Sequence, residues 1–137
     1  MEDTYFPQSF LKTNGLSLES VAGKLTYFVD QLHLLHWQTT SFAEHKALGE
    51  LYEKMFDFKD DIVEKLMGYS SRRVKAFKIE ALKDYASGVS MSVVSEINEF
   101  AAALKEWADK NKYHDISNIA DAVSGESAKI KYLLTLS

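Results

Sequence analysis

The chain of 137 residues contains no cysteine. That absence excludes a disulfide framework, a thiolate nucleophile and any Cys-ligated zinc or iron–sulfur centre. Proline occurs once, at Pro7, and glycine six times, so long stretches run without a breaker and helix is favoured over a turn-rich β fold. No apolar run approaches the roughly 20 residues that span a bilayer. The N-terminus, Met1-Glu2-Asp3-Thr4-Tyr5, has neither the basic nor the apolar segment of a signal peptide. By elimination a soluble, cytoplasmic protein without a membrane partner is expected. An excess of positive charge is missing too. With 16 Lys and Arg against 20 Asp and Glu, the net charge is −4. That argues against nucleic acid as the default partner, since phosphate affinity comes largely from clustered cations.

What is present is ordinary globular composition, 46% hydrophobic and 26% charged, with many aromatics: eight Phe, seven Tyr and two Trp. The length suits one domain with a real core. Residues 1–15 read as a leader ending in an Asn14-Gly15 turn, and residues 16–137 as the folded domain.

Four amphipathic helices are expected. Ser17 is an N-cap for the first, whose Leu18, Val21, Leu25, Phe28, Leu32, Leu35 and His36 recur at three- and four-residue steps. It ends around Trp37–Thr40. Ser41-Phe42-Ala43-Glu44 reads as a capping box opening a second helix that stops at Gly68. Phe42, His45, Leu48, Tyr52, Met55, Lys59, Ile62 and Leu66 share one stripe of it. Residues 69–88 form a crossover, in which 79–85 can make two helical turns. The third helix covers about 91–111, with Val94, Ile97, Ala101, Leu104 and Ala108 on one face, widened by Phe100 and Trp107. Asp115 is the expected cap of a last helix from about Ile116 to Leu136, carrying Ile119, Val123, Ile130, Leu133 and Leu134, with Gly125 as a weak point. Two helical hairpins joined by a long crossover make an all-α fold, the ferritin-like version of the four-helix bundle.

Chemistry concentrates between His33 and Glu64. His33 and His36 lie three apart on the first helix, His45 stands one turn into the second, and Asp57, Asp60, Asp61 and Glu64 form a carboxylate stripe further along it. Imidazole with carboxylate suits ferrous iron, manganese or zinc. His45 and Asp60 are 15 residues apart on one helix, roughly 22 Å at 1.5 Å per residue, so they cannot share an ion within one chain. They meet only if a second copy of the helix lies antiparallel across a two-fold axis near residues 52–55. His36 and His45 of one subunit then face Asp60 and Glu64 of the other, giving two sites per dimer.

Leu32-His33-Leu34-Leu35-His36-Trp37, Phe42-x-x-His45, Leu51-Tyr52 and Asp60-x-x-x-Glu64 resemble, in order and spacing, the signature of the Dps mini-ferritins. The likeness covers residues 16–136, with its specific motifs between 32 and 64. It implies a ferritin-like bundle assembled into a hollow homo-oligomer, a dodecamer built from two-fold dimers. Ferrous iron would bind at inter-subunit sites, be oxidised by peroxide or dioxygen, and be stored as ferric iron, with zinc or manganese as other occupants. His36, His45, Asp60 and Glu64 take the ligand positions. The sequence departs from the pattern in two places. The His36–His45 loop is about three residues short and lacks the family's glycine, and the family's metal-binding aspartate one turn after the second histidine is Gly49. His33, Glu50 and Asp61 are the candidates to compensate. The basic N-terminal arm is also missing, leaving Arg72, Arg73, Lys75 and Lys78 as the one local candidate for DNA contact. A shell that has lost oxidation through Gly49 is the alternative reading, and an unrelated helical adaptor a third.

Overall fold

The computed structural model describes residues 17–137; the leader and its Asn14-Gly15 turn lie outside these residues. Four helices and no strand are found among them: α1 (Leu18–Gln38), α2 (Phe42–Ser70), α3 (Val89–Lys110) and α4 (His114–Leu134). They form an all-α four-helix bundle, as expected.

Ser17 caps α1 by accepting the Ser20 N–H at 3.3 Å. Ser41 caps α2 by accepting the Glu44 N–H at 3.1 Å, so half of the expected capping box forms. The other half does not. The Ser41 N–H donates to Thr39 Oγ1 instead, and the Glu44 carboxylate, buried, turns to the hydroxyls of Thr39 (2.9 Å) and Tyr85 (2.7 Å). The second helix also passes Gly68 and ends at Ser70, with Ser71 taking the left-handed conformation (φ 56°). A glycine permits a stop without compelling one, and here the helix continues through it. Asp115 is not the cap of α4 either. Tyr113 precedes the helix, and Asp115 lies in the first turn, accepting from the Ile116 N–H and the Tyr69 hydroxyl.

The core unites all four helices. Leu25, Phe28, Leu32 and Leu35 of α1 are buried with Leu48, Leu51, Met55 and Ile62 of α2, Ile97, Phe100 and Leu104 of α3, and Val123 and Ile130 of α4. Ile119 and Leu133 are only half-buried against it. On the α2 stripe Lys59 is half-buried, its ammonium 5.3 Å from the Phe56 ring centroid, so an amphipathic stem covers apolar surface while the charge stays wet.

Helices α2 and α4 are antiparallel, tied by Lys54–Glu126 (3.1 Å) and Lys129–Glu50 (2.6 Å); α3 and α4 are antiparallel, tied by Asn98–Ser127 and Lys105–Asp121. Residues 71–88 connect α2 to α3. They contain no helical turns at 79–85, contrary to expectation, but run extended. Side chains of α1 supply the hydrogen bonds that a helix would have made internally. Glu19 accepts the Lys75 N–H, Gln31 both donates to the Lys83 carbonyl and accepts its N–H, and Gln38 accepts the Tyr85 N–H. At Gly23 the link comes so close that an added Cβ would lie 2.8 Å from the Lys78 carbonyl oxygen.

Candidate metal centre at the α1–α2 end

A turn of three residues, Thr39–Ser41, joins α1 to α2, so the last turn of one stands beside the first turn of the other. That places His36 against His45. Their rings stack with centroids 3.8 Å apart and planes at 16°. Each ring bonds to the other residue's main chain: His36 Nδ1 lies 2.7 Å from the His45 carbonyl oxygen, and His45 Nδ1 2.8 Å from that of His36. A carbonyl oxygen can only accept, so both Nδ1 atoms carry a proton. In the neutral rings the remaining lone pair is therefore on Nε2, the tautomer required of a Nε2 metal ligand. Neither Nε2 has a hydrogen-bond partner among the described residues.

The stacking also limits what the pair can hold. An imidazole lone pair lies in the ring plane, and metal–nitrogen distances are about 2.0–2.1 Å. Two nearly parallel planes at this separation do not converge on one ion at that distance, so the rings offer two separate single-nitrogen donors. Gly49 sits directly beneath. A Cβ there would lie 2.9 Å from His36 Cε1 and 3.0 Å from Nδ1. The position that carries an aspartate in the Dps pattern is filled here by the edge of an imidazole.

His33 belongs to a second stack. Its ring lies 4.0 Å from Tyr52 and 3.9 Å from Trp37, and 6.1 Å from His36 (centroid distances). Trp37 and Phe42 flank the two stacks and are exposed, as is Phe56, about four turns beyond Phe42 along α2.

The candidate carboxylates lie elsewhere. Asp60 and Glu64 are exposed and make no hydrogen bond or ion pair with the described residues. Asp61 is held by Lys65 on its own helix. Glu50 does not reach the histidines. It accepts from Lys129 of α4 at 2.6 Å, and that hydrogen bond holds its carboxyl below the usual range. Glu44, adjacent to His45 in sequence, is also committed. Burial opposes its ionisation, but the Ser90 hydroxyl alongside and the hydrogen bonds from Tyr85 and Thr39 outweigh this and keep it below the usual value. Among the described residues no group of three or more His, Asp or Glu side chains can hold an ion. The separation inferred from helix rise, which keeps His45 and Asp60 apart, agrees with that placement.

The basic cluster is partly consumed by the fold. Arg72 makes a bidentate pair with Glu19, both contacts at 2.7 Å. This hydrogen bond dominates over partial desolvation and, with the Lys75 N–H, lowers the Glu19 pKa to about 2. Arg73, Lys75 and Lys78 are exposed.

Sequence reasoning missed three features of this end: the reciprocal main-chain bonds of the histidines, the close approach of Gly49 and the commitment of Glu50. Nine residues around a short turn were signal enough to set His36 level with His45. Nothing local announces Glu50–Lys129, whose partners are 79 residues apart.

No helix among the described residues is long and apolar enough to cross a membrane. No curated protein and no solved structure matches the chain. A family model described as a family of unknown function (DUF5856) matches residues 36–134. It takes in His36, His45, Asp60 and Glu64 and covers well over half of the chain, and the protein belongs to that family.

Proposed function

We propose that the protein is a Dps-like, ferritin-like homo-oligomer that binds ferrous iron between two-fold-related subunits, oxidises it and retains the ferric product, protecting its surroundings from oxidative damage. The observation that carries this reading is the His36–His45 pair, two imidazoles whose Nδ1 atoms are occupied and whose Nε2 atoms have no hydrogen-bond partner among the described residues. One subunit supplies these neutral nitrogen donors. Asp60 and Glu64 of a second subunit supply the charge that favours the ferric state. Both are exposed and make no hydrogen bond or ion pair among the described residues, as a group awaiting another chain should be.

The exposed aromatics support the same contact. Trp37, Phe42 and Phe56 are 66%, 75% and 51% exposed on the α1–α2 face, with the half-buried Tyr52 between them. Large aromatic side chains bury much area at small entropic cost and are enriched at interfaces. A two-fold near residues 52–55 buries this set while it carries the histidines of one copy towards the carboxylates of the other. Zinc or manganese would be bound by the same donors.

A second reading rests on Gly49. With an imidazole edge where a carboxylate would sit, each subunit brings no anionic ligand of its own to the histidine side, and the shell binds metal without turning it over. One titration separates the readings. On protein of measured mass, twelve copies of 15.5 kDa give about 186 kDa. Ferrous iron with peroxide should then generate ferric absorbance faster than in a His45→Ala, Asp60→Asn variant. Equal rates in an assembled protein that still binds the ion leave the non-oxidising shell. A monomer that binds none ends both.

A further inference from the structure

We infer that Gly49 is a positioning residue for the His36–His45 pair: the absence of a side chain at 49 is what allows the two rings to stack and fixes both as Nε2 donors. The inference rests on the reading of these histidines as ligands, and it turns the one departure at a ligand position into a requirement of the site.

Three glycines interrupt the helices around α2 and α4, and they do not behave alike. At Gly68 and Gly125 an added Cβ meets nothing within 4 Å among the described residues. Both can be replaced by alanine without a contact changing. At Gly49 the same Cβ meets His36 Cε1 at 2.9 Å, Nδ1 at 3.0 Å and Nε2 at 3.8 Å. The first two are closer than a methyl carbon and a ring atom approach at rest. The ring cannot simply slide away. Its Nδ1–H is tied at 2.7 Å to the His45 carbonyl, and its face is covered by the His45 ring. Moving His36 breaks that bond, unstacks the rings and frees the partner bond from His45 Nδ1 to the His36 carbonyl. The glycine, the two main-chain bonds and the stack form one unit that a single methyl group dissolves.

A carboxylate at 49 would not be an addition to this site. Gly49→Asp forfeits the fixed imidazole pair to introduce the anion, so the chain has one arrangement or the other.

The test is a double-mutant cycle with a spectroscopic readout on the full chain. In the native background Gly49→Ala lowers the Tm, whereas Gly68→Ala and Gly125→Ala raise it. In a His36→Ala background, where the ring is gone, Gly49→Ala raises the Tm like the other two. In the ¹⁵N-labelled protein at about pH 8, above the ordinary imidazole pKa, His36 and His45 of the native chain show protonated Nδ1 and unprotonated Nε2. Gly49→Ala converts them to the averaged tautomers of free imidazole, and zinc affinity measured by calorimetry falls at least tenfold. Gly68→Ala changes neither. A Gly49→Ala protein that keeps both locked tautomers, or gains stability in both backgrounds, overturns the inference. If the native protein takes up no zinc or iron, the metal reading falls, but the tautomers and the cycle still decide the role of Gly49.

Discussion

The two ends of α2 carry the candidate chemistry in opposite states. At its N-terminal end His45 is locked to His36 by reciprocal main-chain bonds and a ring stack, above a glycine that leaves no slack. Toward its C-terminal end Asp60 and Glu64 stand in solvent with no hydrogen bond or ion pair among the described residues. The histidine end is organised by the chain's own short turn and needs no other molecule to be in place. Among the described residues no hydrogen bond or ion pair fixes the two carboxylates. Such a division suits a site assembled from two copies, in which the costly ordering is done on one side and adaptable charge is brought by the other.

The comparison breaks most visibly at the level of assembly. Phe56→Glu puts a charge on the exposed aromatic face, and we expect the proposed oligomer to fall to a 15.5 kDa monomer by light scattering while the helical circular dichroism is retained. A variant of unchanged mass would move the contact away from this face. The next effect separates the two ends directly. Asp60→Asn with Glu64→Gln should weaken metal binding by about 10–100-fold or more and shift stability by no more than about 0.5 kcal/mol, as exposed substitutions do. His36→Ala should weaken binding as much but also cost about 1–3 kcal/mol in chemical denaturation, since it removes a part-buried hydrogen bond to the His45 carbonyl in α2 together with the ring stack. Equal stability losses at the two ends would erase the distinction.

A smaller effect is expected in acid. Glu19 has a pKa of about 2 in the fold against 4.5 for the free side chain. Its ionised form therefore stabilises the fold above about pH 4.5, and that contribution is lost as pH falls from 4.5 towards 2. With solvent screening at this partly exposed site, the contribution is on the order of 1–2 kcal/mol. Glu19→Gln should lower neutral-pH stability by that amount and flatten the acid limb of a pH-dependent urea titration. Smallest is Gly125→Ala, which meets open space and should stabilise by about 0.5–1 kcal/mol. Gly23→Ala should do the reverse, because its Cβ would press on the Lys78 carbonyl at 2.8 Å.

What the sequence made legible follows the range of the interactions. Apolar periodicity located all four helices because the pattern repeats within each element, and Ser17 and Ser41 marked two starts because a cap acts over three residues. His36 and His45 fall together on one subunit's side of the expected site, and the three-residue turn between their helices sets them level. Errors came where a distant partner overrode a local preference. Glu44 left its own helix terminus for Tyr85, 41 residues away. Residues 79–85 lost their helical tendency to α1 side chains that bond the main chain at Lys75, Lys83 and Tyr85. Glu50 went to Lys129. Gly49 looked like a deficiency because a sequence shows the side chain a position lacks and not the neighbour that occupies its volume.

The extended link between α2 and α3 has a consequence for tolerance to change. At Lys75, Lys83 and Tyr85 it offers peptide groups, and Glu19, Gln31 and Gln38 supply the matching side chains. Every residue type but proline has those peptide N–H groups, so substitution can drift at Lys75 and Lys83 while the helix positions stay fixed; Tyr85 is held by its side chain as well, through the hydroxyl that donates to Glu44. The constraint on this stretch is written in α1.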